Sequence, residues 1–410
     1  MAPIRILHII TSTDAGGSEM MLEKLCCRMR RDRFQQTVLS LKRVGSVGRR
    51  LQDTGVPVHS LGLSGVVINP RAFLEAVKLV RLLRPHIIQT WLYHADFFGL
   101  LISWVVPGVR MVWNIRCAQM ELSHYPFHTR LTRWSCRWLS RHADAILTNS
   151  IAARDYHFSL GYTRYKWVVI ENGFDLDVFR PDESAKYVLS ERLGVEVDGP
   201  LIGMIARFDP MKDHRTFVQT AAKVLEKEPE AYFLLAGRGC EPENRVLLRM
   251  LPAHLRSRFH LLGERQDLSL INAALDVAVL CSRGESFPNA VGEAMACGVP
   301  CVVSDVGDAA RLVGETGIVV PARDPEAFSA GIMRILGLEN GARRGLGLRA
   351  RRRIQECFEI GAISRRYESF YSALMSLGTG PGARGNQALR GRNSREEPAR
   401  GQPTFVLENR

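Results

Sequence analysis

Short runs rich in apolar and β-branched residues alternate along this chain with longer segments in which apolar residues recur at helical spacing. In the first half the runs predict strands over 5–11, 35–41, 86–91, 111–115 and 145–149, with helices over 18–29 and 70–83. The pattern restarts with strands over 201–206, 231–236, 259–262, 277–280 and 301–303, the last two separated by a short helix over 290–296. Strands separated in this way by helical segments belong to parallel sheets covered on both faces. The expected fold class is therefore α/β, with two Rossmann-like domains over 1–181 and 199–355 joined by a polar linker, 182–198. A final helix over 356–376 places Ile363, Tyr367, Phe370, Tyr371 and Leu374 on one face. The Gly-, Pro- and Arg-rich segment 377–410 has too few apolar residues for a core and reads as a disordered tail.

A chain of 410 residues, 46% hydrophobic and 24% charged, has room for two ordinary cores. The longest apolar stretch, 97–106, is about half of what a bilayer crossing needs. The N-terminus leads into a strand and lacks a signal-peptide layout, so a cytoplasmic location is expected. Nine cysteines without metal-ligand spacing read as small buried hydrophobes of a reducing compartment. The charge is uneven. Residues 1–181 hold 24 Lys and Arg against 13 Asp and Glu, most of the chain's net +13. Such an excess calls for an anionic partner.

The stretch 284–308, G-E-S-F-P-N-A-V-G-E-A-M-A-C-G-V-P-C-V-V-S-D-V-G-D, concentrates the candidate chemistry. Pro288 suits the first helical turn, Gly298 the left-handed position past the helix end, and Pro300 blocks continuation. The loop around Phe287, Pro288, Asn289 and Ala290 offers free backbone N–H groups at a helix's positive end, which suits a phosphate. Glu285 and Glu293 flank it, and a carboxylate there can accept from sugar hydroxyls. Taken singly, the two read as a cap and a solvated face; taken together they outline a nucleotide-sugar site.

Glu285 and Glu293 with seven residues between them, then A-M-A-C-G-V-P and S-D-V-G-D, closely resemble the glutamate-pair motif of retaining glycosyltransferases of family four, bacterial polysaccharide and glycolipid type. The resemblance extends over roughly residues 4 to 375. It departs from the common pattern at Ser286-Phe287-Pro288-Asn289, where many members carry Gly-Phe-Gly after the first Glu. It departs again at Gly307-Asp308-Ala309-Ala310-Arg311, where many carry Gly-Gly-x-x-Glu. The resemblance implies a GT-B fold, two domains facing across a cleft, with the last helix returning to the first domain. It gives Glu293 to the donor's ribose and Glu285 to the transferred sugar. Arg207 and Lys212 would take the donor diphosphate where other classes use a metal, so neither a metal nor another cofactor is expected. Gly237 and Gly263 mark loops of the donor side, and nucleobase contacts fall at the second of them. Gly16-Gly17 before the first helix, alone no more than a turn, would face the phosphates. His94, alone a structural histidine, would lie near the transferred sugar as a polar positioner. Asn114 and Arg116 at the next strand end are weaker candidates for acceptor contact. Asp175-x-Asp177 falls near the linker and reads as a cap and turn rather than a metal site.

The expected activity is retaining, metal-independent transfer from a UDP-sugar to a lipid-linked or saccharide acceptor in polysaccharide or glycolipid synthesis. Two alternatives stand beside it: a nucleotide-sugar epimerase or hydrolase on the same fold, and a catalytically silent interaction protein at a membrane. Over 128–142, Arg130, Arg133, Arg137 and Arg141 recur beside Leu131, Trp134, Trp138 and Leu139. The pattern suits a core helix with a basic outer face or an interfacial helix on anionic lipid, and the charge excess of the first domain makes the second the expectation, a peripheral place on the inner face of the cytoplasmic membrane. Nucleic acid is not expected, because no recognition motif accompanies the charge.

Overall fold

The computed structural model describes residues 2–65, 69–118, 127–193 and 198–376, and the backbone of 387–390 and 406–409. The chain divides into two compact units, 1–173 with 360–410, and 174–359. In the first, β1 (Ile4–Ile10), α1 (Gly17–Arg28), β2 (Phe34–Lys42), α2 (Ser46–Asp53), β3 (Val58–Leu63), α3 (Pro70–Leu83) and β4 (Ile87–Trp91) follow in turn. Then come α4 (Tyr93–Val105), β5 (Arg110–Ile115), α5 (Phe127–Leu139), β6 (Ala145–Thr148), α6 (Ile151–Ser159) and β7 (Trp167–Val169). The second unit holds α7 (Ala185–Leu193), β8 (Leu201–Ile205), α8 (His214–Leu225), β9 (Tyr232–Ala236), α9 (Arg245–Met250), β10 (Phe259–Leu261) and α10 (Leu268–Ala274). It continues with β11 (Val277–Leu280), α11 (Asn289–Ala296), β12 (Cys301–Ser304), α12 (Ala309–Val313), β13 (Ile318–Val320), α13 (Pro325–Leu336) and α14 (Asn340–Cys357). Helix α15 (Ile360–Ser376) belongs to the first unit.

Both sheets are parallel throughout. Their strand orders are β3-β2-β1-β4-β5-β6-β7 and β10-β9-β8-β11-β12-β13. In each, the order reverses beside its first strand, at β1/β4 and at β8/β11. An open α/β sheet binds ligands outside the carboxyl ends of its strands at such a switch point. β4, β6, β11 and β12 are buried along their whole length, as strands covered on both faces are, even where polar Gln89, Thr90, Thr148 and Ser304 interrupt or end their apolar runs.

Local signals set the helix ends. Asn69 accepts from the Ala72 N–H at 2.8 Å with Pro70 in the first turn, and Asp324 and Pro325 do the same for α13. The apolar face of α15 is buried in the first unit's core, where Tyr371 O–H donates to Gln89 Oε1 at 2.6 Å. Residues expected as a linker include α7, whose Ala185 and Leu189 are buried in the second unit's core; two apolar contacts four residues apart suffice to hold a short helix there. Asp175 Oδ1 accepts from the Asp177 N–H at 3.1 Å, an Asx turn. In the segment read as a disordered tail, 387–390 and 406–409 form an antiparallel strand pair; its other residues lie outside those described. Six cysteines are buried as expected, but Cys27 is exposed and Cys117 and Cys357 are partly so; all nine are free thiols.

Candidate active site

The chemistry gathers at the β8/β11 switch. The loop leaving β8 carries Arg207, Asp209, Lys212 and Asp213, and the loop leaving β11 carries Ser282, Arg283 and Glu285. Asp209 shapes the first loop, accepting from the Met211 N–H at 2.9 Å and from Arg207 Nε at 3.2 Å. Lys212 Nζ forms an ion pair with Glu285 Oε1, which also accepts from Ser282 O–H at 2.7 Å. Glu285 keeps 11% of its side-chain surface and Lys212 24%, so the pair is shielded without being sealed. Arg207 keeps 55%, leaving its guanidinium available to an incoming anion.

Glycines let the neighbouring loops close on this pair. Gly237 adopts φ +140°, and a Cβ there would meet the Ala206 carbonyl at 2.4 Å. Its N–H donates to the Gly263 carbonyl at 2.7 Å, and Gly263 is itself left-handed at φ +63°. Beneath the loops, His214 Nε2 lies 3.4 Å from Cys240 Sγ, and burial lowers the imidazole to about 4. Both groups are therefore neutral at ordinary pH.

Helix α11 begins at Asn289, one residue before the expected span 290–296. Pro288 is the extended cap and Asn289 the first helical residue, because ψ of +110° leaves proline outside the helix. Phe287, expected among donor contacts, turns its ring into the core, 6.3 Å from Phe174 and 5.3 Å from Phe358. An aromatic ring beside two others buries more apolar area than an exposed position allows, which leaves the backbone to face a ligand. Gly298 is left-handed at φ +77°, as expected past the helix end. Glu293 is partly buried on α11, one residue after Gly292, where a Cβ would meet the Phe174 ring at 2.0 Å.

In the first unit, exposed Gly17 opens α1 at the carboxyl end of β1, with Gly16 as its cap. His94 lies in the first turn of α4, its Nε2 3.2 Å from Thr129 Oγ1 and its ring 5.8 Å from that of His128. Burial, aided by the charges of His128 and Lys42, lowers it to about 4. An imidazole held neutral can orient a hydroxyl by a hydrogen bond but carries no charge to it. Asn114 and Arg116 do not present themselves to an acceptor. Asn114 is fully buried; Arg116 is 8% exposed and donates to Tyr367 Oη at 3.1 Å and to Asn172 Oδ1, while stacking over Trp91 at 5.3 Å. The cause is α15, which covers the sheet there and absorbs these polar groups.

On α5 the apolar residues that suited a core face are largely at the surface: Trp134 is 58% exposed and Trp138 and Leu131 49% each. Trp104 and Val105 at the end of α4 are exposed as well. Arg130 is exposed beside them, whereas Arg133 turns inward to Tyr156 Oη at 3.0 Å and Arg137 stacks on Trp138 at 4.8 Å.

Sequence reasoning missed Ser282, Asp209, Asp213 and Arg283. Ser282 and Asp209 carry a local signal, lying near Glu285 and Arg207 in loops already singled out. Asp213 and Arg283 are joined only by the adjacency of β8 and β11, which no spacing rule foretells.

Comparison with known proteins agrees with this geometry. Residues 15–178 match the model of Glycosyltransferase Family 4, and residues 199–337 that of Glycosyl transferases group 1. The chain is 31% identical over 186 residues to N-acetyl-alpha-D-glucosaminyl L-malate synthase of Bacillus anthracis, covering 45% of this chain and 48% of that protein. It is 30% identical over 171 residues to UDP-Gal:alpha-D-GlcNAc-diphosphoundecaprenol alpha-1,3-galactosyltransferase of Escherichia coli, covering 41% and 44%. The chain thus spans about half the length of the curated relatives it matches. The crystal structure of Anabaena Alr3699/HepE in complex with UDP superposes with a TM-score of 0.77 at 21% identity, covering 90% of this chain and all of that one. With each half matched by a family model and the fold shared with solved relatives, the chain belongs to the family 4 glycosyltransferases of GT-B fold.

Proposed function

We propose that this protein transfers a sugar, with retention and without a metal, from a UDP-sugar to a lipid-linked or saccharide acceptor. The observation that carries the reading is the Lys212–Glu285 pair at the β8/β11 switch, with Arg207 beside it. Bond breaking puts charge on the leaving diphosphate, and preorganised cations there lower the barrier. Lys212 supplies a point charge and Arg207 a fork for phosphate oxygens. The α11 N-terminus adds backbone donors. Glu285 faces the transferred sugar and Glu293 the ribose. With no further nucleophile assigned, retention would follow from same-face attack, the leaving phosphate taking the acceptor's proton. UDP is supported by the HepE complex, and a lipid-linked acceptor by the name of the Escherichia coli galactosyltransferase.

The assay supplies UDP-sugars with polyprenyl-diphosphate-linked and free saccharide acceptors in excess chelator, and reads the product's anomeric configuration by NMR. Transfer that needs Mg²⁺ to recover would refute metal independence. Turnover of donor alone would point to an epimerase or hydrolase.

The proposal includes docking on anionic membrane through α5. Its exposed Trp134, Trp138 and Leu131 beside Arg130 and Arg141 support this, since basic residues near anionic lipid contribute about 1 kcal/mol each. Arg130→Glu with Arg141→Glu should abolish co-sedimentation with anionic liposomes at low salt. Binding indifferent to lipid charge would exclude this mode.

A further inference from the structure

Parallel pairing between β8 and β11 covers only Ile202↔Val277 and Gly203↔Ala278. Beyond it the two loops that carry Lys212 and Glu285 have no ladder to hold them in register. They are joined instead by Asp213, the residue after Lys212, and Arg283, two residues before Glu285. Arg283 Nε donates to Asp213 Oδ2 at 2.9 Å and Nη2 to Oδ1 at 3.0 Å, a fork on a carboxylate. The Arg283 N–H also donates to the Met211 carbonyl at 2.8 Å, so the loops are tied on both sides of Lys212.

Asp213 is built for one geometry. It is left-handed at φ +53°, a conformation that few non-glycine residues adopt, and its side chain is 2% exposed. Both carboxylate oxygens are used. Thr216 O–H donates to one at 2.9 Å, so Asp213 also caps α8 and passes that helix's position to the loop. Burial works to raise its pKa, but the bonds from Arg283 and Thr216 outweigh burial and leave it lowered, so the carboxylate stays charged.

We propose that the Asp213–Arg283 pair is a positioning element that registers Lys212 against Glu285 and thereby sets the cation geometry offered to the donor's diphosphate. The inference rests on the reading of Lys212 and Arg207 as phosphate ligands. Neither Asp213 nor Arg283 is a catalytic residue; each acts through its neighbour. A fork fixes distance and orientation together, whereas a lone Lys–Glu contact leaves the ammonium free to swing.

The test compares UDP with uridine as calorimetric probes of the intact protein, alongside thermal melting. Asp213→Asn and Arg283→Ala should each weaken UDP binding about tenfold and leave uridine unchanged, since uridine has no phosphates. The double variant should be no weaker than either single one. Arg283→Lys should recover only part, because it restores charge without the fork. Asp213→Gly relieves the left-handed backbone, so it keeps the fold while losing the lock, and should still bind UDP poorly. Unchanged UDP affinity in these variants, or equal loss of UDP and uridine, would overturn the proposal and leave the donor reading standing. A wild-type protein that binds no nucleoside diphosphate would overturn both.

Discussion

Glu285 and Lys212 should affect nucleotide binding in opposite directions. In the ligand-free protein the ammonium is already engaged by Glu285, so a bound diphosphate must share it. Lys212→Ala removes a charge-assisted contact to the phosphates, about 1.5–3 kcal/mol, which is roughly 10- to 150-fold in UDP affinity. Glu285→Gln instead releases the ammonium from a competing anion. The pair is partly open, with 11% and 24% of the two side chains exposed, so the released interaction is about 1 kcal/mol. UDP should then bind Glu285→Gln as tightly as wild type or up to about fivefold more tightly, while sugar transfer collapses, as the role proposed for Glu285 at the transferred sugar requires. The double variant should bind UDP like Lys212→Ala. Calorimetry with UDP in chelator, at fixed ionic strength, reads all three. Weakening by Glu285→Gln as large as that by Lys212→Ala would refute the competition, because it would mean that Glu285 supports the phosphate site.

Glu293→Ala should weaken UDP by about 1.5–3 kcal/mol with turnover at saturating donor little changed, since a ribose contact is made alike in ground and transition states; a fall confined to turnover would remove the ribose assignment. Arg351 Nη1 donates to the Phe179 carbonyl at 2.8 Å and to the Ala296 carbonyl at the end of α11, and Nη2 to the Leu176 carbonyl at 3.1 Å. Arg351→Ala should therefore destabilise the second unit by about 3 kcal/mol, read from denaturant unfolding, and an effect under about 0.5 kcal/mol would contradict it. Acid should destabilise both units. Burial lowers His8, His157 and His214 to about 4 against an unfolded value of 6.5, so the unfolded chain takes up protons that the native one refuses as pH falls through that window. Their contribution is full above pH 6.5 and lost by about pH 4. Asp96, raised to about 8 by burial, keeps a proton in the native state and offsets one histidine of the first unit. His94, also lowered to about 4, adds to the first unit, so at least one net proton remains in each unit, about 1.4 kcal/mol or more lost per pH unit, and a melting temperature flat from pH 6.5 to 5 would refute this.

Much of the fold was legible because buried parallel strands have an unmistakable composition. β11 was read with its observed ends, and α3 announced itself through Asn69, Pro70 and its apolar spacing. Elements without such signals went unread. α2 has no side-chain cap and contains Gly48, and β3 is an edge strand with only partly buried positions. α4 is apolar on nearly every side, so its period is hidden. α5 shows a deeper limit: a face of Trp and Leu at helical spacing has the same signature whether it meets a core or solvent, and only the fold reveals Trp134 and Trp138 as exposed.

The site divides along the same line. Arg207, Lys212 and Glu285 lie in loops that leave strand ends, where sheet geometry delivers ligands, and Glu293 on the helix that follows; topology together with the glutamate-pair motif made them candidates. Asn114 and Arg116 stand at a strand end too, and the same rule misled there, because α15 returns from 245 residues downstream of Ile115 to cover them. The residues that set geometry without touching a ligand are the least legible of all. Asp213 carries a local signal only as the cap of α8, which says nothing of a partner on the other loop, and Arg283 has no local reason to be a fork. Their pairing makes sense only when two loops 70 residues apart must meet with no strand pairing to align them. A rigid sheet therefore brings the two candidate-site loops close, but closeness within hydrogen-bond tolerance requires a tie between the loops themselves, and that tie is written in residues whose partners the linear sequence conceals.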